Sequence, residues 1–406
     1  SPIQTWYSRS HARVYTGPKA AANAVSQPPP VAQNELASAA RPFQSKRGAR
    51  IPELDGLRGI AILLVLMFHY KPATGPLVYL RGVFATGWIG VDLFLVMSGY
   101  LITGILLDTV SRPHYYRDFV VRRSFRIFPL YYACLVLYCV LYYLGGLVNV
   151  RDFLTSGNAW WYLIYLGNIQ TFLQNSWPGI AILTPLWSLQ VEEQFYLSFP
   201  FIVKLGRKRL AWILAGCVIG APVLRIALAV FLPRNLMGAY TLMPCRIDAL
   251  AMGGLVALAA REWPARLKGP WIGWLTAIST ITVVLFCILW NDTPWSLAMR
   301  TVGFTALDFA FTGILIMLIG WRQPLLLRLC RMRILVWVGT ISYGLYLLHL
   351  PAMAISHGWL APLLGIGPSG STAFFVMVTL AIAMAWISWT FFESPILRLR
   401  ERFTGR

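Results

Sequence analysis

Apolar stretches recur along this chain, separated by short polar segments rich in arginine and lysine. A helix needs about 20 mostly apolar residues to cross the hydrocarbon core of a bilayer. Ten stretches meet that length: 51–70, 86–107, 128–148, 186–205, 210–232, 242–260, 270–290, 301–320, 335–355 and 372–391. Another, 159–173 (AWWYLIYLGNIQTFL), is shorter and very aromatic, which suits an interfacial or re-entrant segment better than a span.

The basic residues test this pattern. With the amino terminus in the cytoplasm, 27 lysines and arginines fall on cytoplasmic segments and 5 on the opposite side. That is the bias expected from the positive-inside rule, and a crossing at 159–173 would erase it by reversing every later loop. The pattern predicts an all-α polytopic membrane protein of ten transmembrane helices with both termini cytoplasmic. The membrane domain covers 51–400. Residues 1–50 are polar and basic, include Pro28–Pro30 and lack an apolar signal core. They are expected to form a disordered cytoplasmic tail, and 401–406 a short second one.

Composition agrees. Of 406 residues, 57% are hydrophobic and 12% charged, against about 25% charged in soluble domains. The net charge of +20 is mostly topological and faces anionic lipid headgroups, so no nucleic-acid partner is expected. Six scattered cysteines without a C-x-x-C pair are expected to be packing residues, not a disulfide framework or a metal site.

Chemistry enters with the first apolar stretch, "LRGIAILLVLMFHY". Arg58 and His69 are eleven residues apart, so on a helix they project from one face, about 16 Å apart along the axis. Ionisable groups inside a membrane domain usually face a cavity. Imidazole can move a proton near neutral pH, and guanidinium can hold a phosphate or carboxylate. The pair predicts a proton-transfer group and an anion-binding group along one solvated tunnel.

Six strings carry the pattern along the chain: "ELDGLRGIAILLVLMFHY", which contains this stretch, "GWIGVDLFLVMSGYLIT", "VRRSFRIFPLYY", "LWSLQVEEQFYLSFP", "CRIDALAMGGLVA" and "GTISYGLYLLHLP". In this order they resemble the membrane-bound acyltransferase-3 family, integral membrane proteins that O-acylate sugars and related acceptors, over about Glu53 to Arg400. The resemblance implies an acyl-CoA co-substrate, acetyl-CoA above all, arriving from the cytoplasm. It implies a hydroxyl acceptor on a cell-envelope sugar, polysaccharide or glycolipid, and a multi-pass protein of the bacterial cytoplasmic membrane. It places the family's functional histidine and arginine on His69 and Arg58, its cytoplasmic arginine motif on Arg123 and Arg126, and its glutamate on Glu192.

Each candidate has a role to test. His69 is the expected base. Arg122, Arg123 and Arg126 are candidates for the donor's phosphates, with Arg123 and Arg126 on one helical face. Ser188, Glu192 and Tyr196 share another face, where Glu192 could orient His69, grip sugar hydroxyls, or pair with Arg58, Arg225 or Arg246. Ser98 is a covalent candidate set against close packing through Gly99. Asp92 and Asp55 could cap helices or pair with arginines. Arg246 and Asp248, two apart, point to different faces; Asp308 is a lone acid. His349 is expected at the end of the ninth span near the far side, where it could contact the acceptor or serve a structural role, whereas His357 carries no signal. The alternative is a carrier of a glycan, lipid or metabolite, but the matched half-repeats common in carriers are not evident.

Overall fold

A computed structural model describes residues 51–144, 158–289 and 294–400. The expected tails at 1–50 and 401–406 lie outside them. Within the described residues the architecture is all-helical, and the single bridge pair joins Thr74 to Gly370. Helices are what a lipid solvent demands, because each backbone polar group must find its partner inside the segment.

The helices that matter for the site are α1 (Pro52–His69), α2 (Gly90–Thr109), α3 (Tyr115–Leu144), α4 (Asn158–Leu163), α5 (Gly167–Gln174), α6 (Leu186–Val203), α7 (Arg207–Phe231), α8 (Met243–Glu262), α9 (Pro270–Leu289), α10 (Phe304–Ile319), α11 (Arg333–Thr340), α12 (Ser342–Ile355) and α13 (Ser371–Ser388). Seven helical segments among the described residues are long and apolar enough to cross a bilayer: Pro76–Thr109, Tyr115–Leu141, Arg207–Phe231, Met237–Glu262, Met299–Ile319, Ser342–Leu364 and Ser371–Leu399. The chain is therefore a multi-pass membrane protein. The three remaining expected spans fall on α1, α6 and α9. Charged residues dilute the first two, and α9 leads into residues outside the described set.

Two sequence expectations need correction. The stretch 335–355 is not one helix: it breaks at Ile341 between α11 and α12, and the long segment runs on through a π-helical turn, Ser356–Leu360, to Leu364. His349 thus lies inside the long segment, not at its end, because Pro351 is carried within α12 rather than stopping it. The aromatic 159–173 stretch forms the two short helices α4 and α5, broken at Tyr165, whose φ of 59° is left-handed.

Small residues set the core. A Cβ on Gly99 of α2 would stand 2.0 Å from the Leu250 carbonyl oxygen of α8, and one on Gly253 would stand 1.9 Å from that of Val96. The two backbones therefore meet through glycine, the usual device where lipid supplies no hydrophobic drive. The "LDGLRG" string works the same way on α1. Cβ atoms at Gly56 and Gly59 would strike the carbonyl oxygens of Cys330 and Leu335 at 1.8 and 2.3 Å, so α11 lies directly against this face. Docking α11 on the glycine face turns the Arg58–His69 stripe away from it, toward α2 and α12.

Candidate active site

The stripe faces neighbouring helices, and its two ends are separate environments. Ile62, between them, is completely buried, and Val65 is nearly so. The continuous tunnel expected from sequence is filled at this level by packed side chains.

At one end Arg58 interacts electrostatically with Asp55, Glu192 and Arg123. Arg126, on the same face of α3 as Arg123, meets Arg58, Arg123 and Glu393. Three guanidiniums from two helices therefore converge. The Arg123 guanidinium also lies over the rings of Tyr196 and Phe119, at 5.0 and 5.9 Å. Arg122, four residues before Arg126, lies about 40° from it round α3, with its Nε buried and without a hydrogen-bond partner. Glu192 accepts a hydrogen bond from Tyr196 Oη at 2.5 Å, and Ser98 Oγ lies 2.7 Å from the same hydroxyl. With the tyrosine proton committed to the carboxylate, Ser98 donates to Tyr196. Its hydroxyl is thus held in a structural chain, and Gly99 beside it makes the close packing. Glu193 also interacts with Arg123 and Glu192, and it reaches the aromatic group of Tyr131, Tyr132 and Tyr165 as well.

Glu192 is not the partner of His69, for it belongs to the Arg58 end, roughly three helical turns from the imidazole. The ring against His69 is that of His349, with centroids 4.7 Å apart and planes at 62°. His69 Nδ1 lies 2.9 Å from the Val65 carbonyl and His349 Nδ1 lies 2.8 Å from that of Tyr346. A carbonyl can only accept, so in each ring Nδ1 carries the hydrogen and Nε2 keeps its lone pair. His349 is completely buried, and its Nε2 has no hydrogen-bond partner. Tyr70 Oη clamps the His349 carbonyl.

His69 borders two cavities. One is lined by Tyr70, Lys71, Met353, His357 and the 368–370 loop, stitched to the 71–77 loop by Ala73 N–H donating to the Ser369 carbonyl at 2.7 Å. The other is walled by aromatics from five parts of the chain, among them Trp88, Trp187 and Tyr346. Ser188 links this wall to α6, lying 2.6 Å from Tyr346 Oη, which donates to the Pro185 carbonyl at 2.8 Å. The Ser188–Glu192–Tyr196 face of α6 therefore runs from the histidine end to the arginine end. His357 was missed in the sequence because the ninth apolar stretch ends at 355 and leaves it in a loop; the helical segment runs on to Leu364.

The other candidates form a buried ionic nest. Asp92 pairs with Arg246 and does not cap its helix. Asp248 accepts from Arg225 Nη2 at 2.9 Å and from Thr305 Oγ1 at 2.7 Å. As expected, Arg246 and Asp248 take different partners. Asp308 lies buried in the same nest, facing Arg246.

Comparison with known proteins adds the following. A family model described as an acyltransferase domain, of the acyltransferase-3 type, matches residues 51–392. Over 372 residues the chain is 30% identical to YrhL of Bacillus subtilis, named as a candidate peptidoglycan O-acetyltransferase, covering 85% of this chain and 55% of that protein. It is 28% identical over 366 residues to the peptidoglycan O-acetyltransferase OatA of Listeria monocytogenes, covering 85% of this chain and 56% of the relative. It is likewise 28% identical over 374 residues to the O-acetyltransferase OatA of Staphylococcus aureus, covering 85% and 57%. The chain thus spans little more than half the length of these relatives. No solved structure matches it.

Proposed function

The chain belongs to the acyltransferase-3 family, and from that premise we propose that it is an O-acetyltransferase of the bacterial cytoplasmic membrane. It moves an acetyl group from acetyl-CoA to a hydroxyl of a cell-envelope sugar, with peptidoglycan-type glycan as the expected acceptor. The observation that carries this reading is the tautomer of His69: its Nε2 lone pair is left free on a ring bordering two cavities.

The ten-span topology with both termini cytoplasmic puts Arg58, Arg123 and Arg126 on the cytoplasmic side, where they bind the phosphates of the donor. The acyl arm runs along α1, past Ile62 and Val65, a span of about 16 Å. Moving those two side chains is the rearrangement the reaction requires. At the far end the acceptor hydroxyl attacks the thioester carbonyl carbon while His69 Nε2 takes its proton. Collapse of the tetrahedral centre breaks the C–S bond, and His69 returns the proton to the departing thiolate. The products are a sugar ester and coenzyme A. His349 holds the His69 ring edge-on and is a positioning residue. Glu192, through Tyr196, orders the arginine end.

The test uses purified protein in detergent with radiolabelled acetyl-CoA and a β-1,4-linked N-acetylglucosamine oligosaccharide. Label should pass into the sugar and free coenzyme A should appear in step with it. Label that stays on acetyl-CoA, with the protein folded, refutes the reading.

A further inference from the structure

One of the two cavities that His69 borders carries charge at its mouth. It is the one shaped by the 71–77 and 368–370 loops, and its volume is about 80 Å³. A single water needs roughly 10–15 Å³ of such space, so the cavity admits a hydroxyl and one small neighbouring group but not a pyranose ring. The loops are fixed to each other. Leu77 N–H donates to Ser371 Oγ at 3.0 Å, and Ser371 N–H donates to the Thr74 carbonyl at 3.1 Å. Lys71 and His357 line the cavity, and both are exposed.

The charge at this mouth lacks a counter-charge. The Lys71 ammonium lies 4.3 Å from the Phe68 ring centroid, and that ring stands edge-on to His69, with centroids 5.1 Å apart. Lys71 also acts electrostatically on His69 itself. Among the described residues neither Lys71 nor His357 enters an ion pair with Asp or Glu. Partial burial, and after it the like charge of Arg81, holds the pKa of Lys71 below the ordinary lysine value. The segments 71–89 and 356–371 contain Lys71, Arg81 and His357 but not one Asp or Glu. A mouth lined by one sign of charge gathers ligands of the other. A lysine two positions past the base, left unpaired, therefore points to an anion that comes from outside the chain.

We propose that this cavity takes the reacting hydroxyl together with a carboxylate of the same sugar, so that the acceptor is an acidic glycan. Lys71 is the specificity-determining contact and His357 a second donor at the mouth. This rests on the acetyl-transfer reading for what happens to the hydroxyl, though not for the binding itself. A lysine ammonium is a compact point charge with three donors. It grips one carboxylate oxygen while the ring stays outside and the hydroxyl reaches His69. A neutral sugar leaves the ammonium in the same half-buried place without a partner. Because the mouth is open to solvent, the preference for the anion is sensitive to salt.

The test compares N-acetylmuramic acid with its carboxamide, the same sugar with its carboxylate neutralised, on the full chain in detergent. Saturation-transfer NMR measures binding, and radiolabelled acetyl-CoA measures transfer in parallel. The acid should bind about tenfold more tightly than the amide, the worth of one charge-assisted contact, and the preference should shrink at ~1 M salt. Lys71→Gln should abolish most of it, Lys71→Arg should keep it, and His357→Gln should reduce it by a smaller factor. Wild-type protein that binds neither sugar, or binds both alike, would overturn the proposal. So would a preference that survives Lys71→Gln, which would leave Lys71 an interface lysine. A Lys71-dependent preference without release of coenzyme A would support the acidic acceptor while refuting acetyl transfer. Label passing equally to acid and amide would do the reverse.

Discussion

Two sets of buried charge occupy this membrane domain, and they are built from the same residue types to opposite ends. In the nest of α2, α7, α8 and α10, Arg225 and Asp248 are both fully buried and bonded to each other at 2.9 Å, and Arg246 is held by Asp92. Arg225 also donates to Thr305 Oγ1 and to the carbonyls of Thr301 and Cys245. Such pairs join helices in register, although both oxygens of Asp308 beside them lack a hydrogen-bond partner. At the arginine end Arg58, Arg123 and Arg126 remain partly exposed and face one another as well as Glu192 and Glu393. Like charges gathered without closed pairing are arranged for an anion that comes and goes. Burial and pairing, more than the presence of charge in a span, separate scaffold from site.

Removal of the proposed base has the largest expected effect. His69→Ala should lower acetyl transfer by ~10²–10⁴-fold, the usual contribution of a general base, with the melting temperature in detergent unchanged. Transfer near the wild-type rate would remove His69 from the mechanism. The next effect tests the scaffold. Arg225→Met leaves Asp248 buried and unpaired, which should cost about 3–5 kcal/mol and show as a large drop in thermal stability. The double variant Arg225→Met/Asp248→Leu should recover most of that loss, and failure to recover would show that the nest does more than pair its charges.

Arg126→Glu sharpens the contrast from the other side. It should raise the KM for acetyl-CoA about tenfold or more, the loss of one charge-assisted phosphate contact, while the protein melts as before. Unchanged donor kinetics would make the arginine end scaffold as well. The smallest effect belongs to packing. Gly59→Ala places a Cβ 2.3 Å from the Leu335 carbonyl and should destabilise by about 1–3 kcal/mol through overpacking. Thermal unfolding measures it, and an unshifted transition would mean that α11 yields at no cost.

Much of the architecture was legible in the chain because a bilayer imposes one demand everywhere: apolar length with internal backbone bonding. That demand made the helices readable, and the period of the helix put Arg58 and His69 on one stripe, and Arg123 and Arg126 on another, without any knowledge of neighbours. Where local signals competed with packing, the chain alone misled. The ninth apolar stretch ends at 355, yet the helical segment continues to Leu364 and brings His357 to a cavity. The partners of charges were beyond local pattern altogether. Asp92 meets Arg246 across 154 positions of sequence, and His69 meets His349 across 280. Glu192 could have served either end of α1, and the placement of α2 between α1 and α6 settled it. Spacing along a helix fixes which side chains share a face, but what that face meets depends on which glycines let backbones approach, and that is a property of the assembled helices alone.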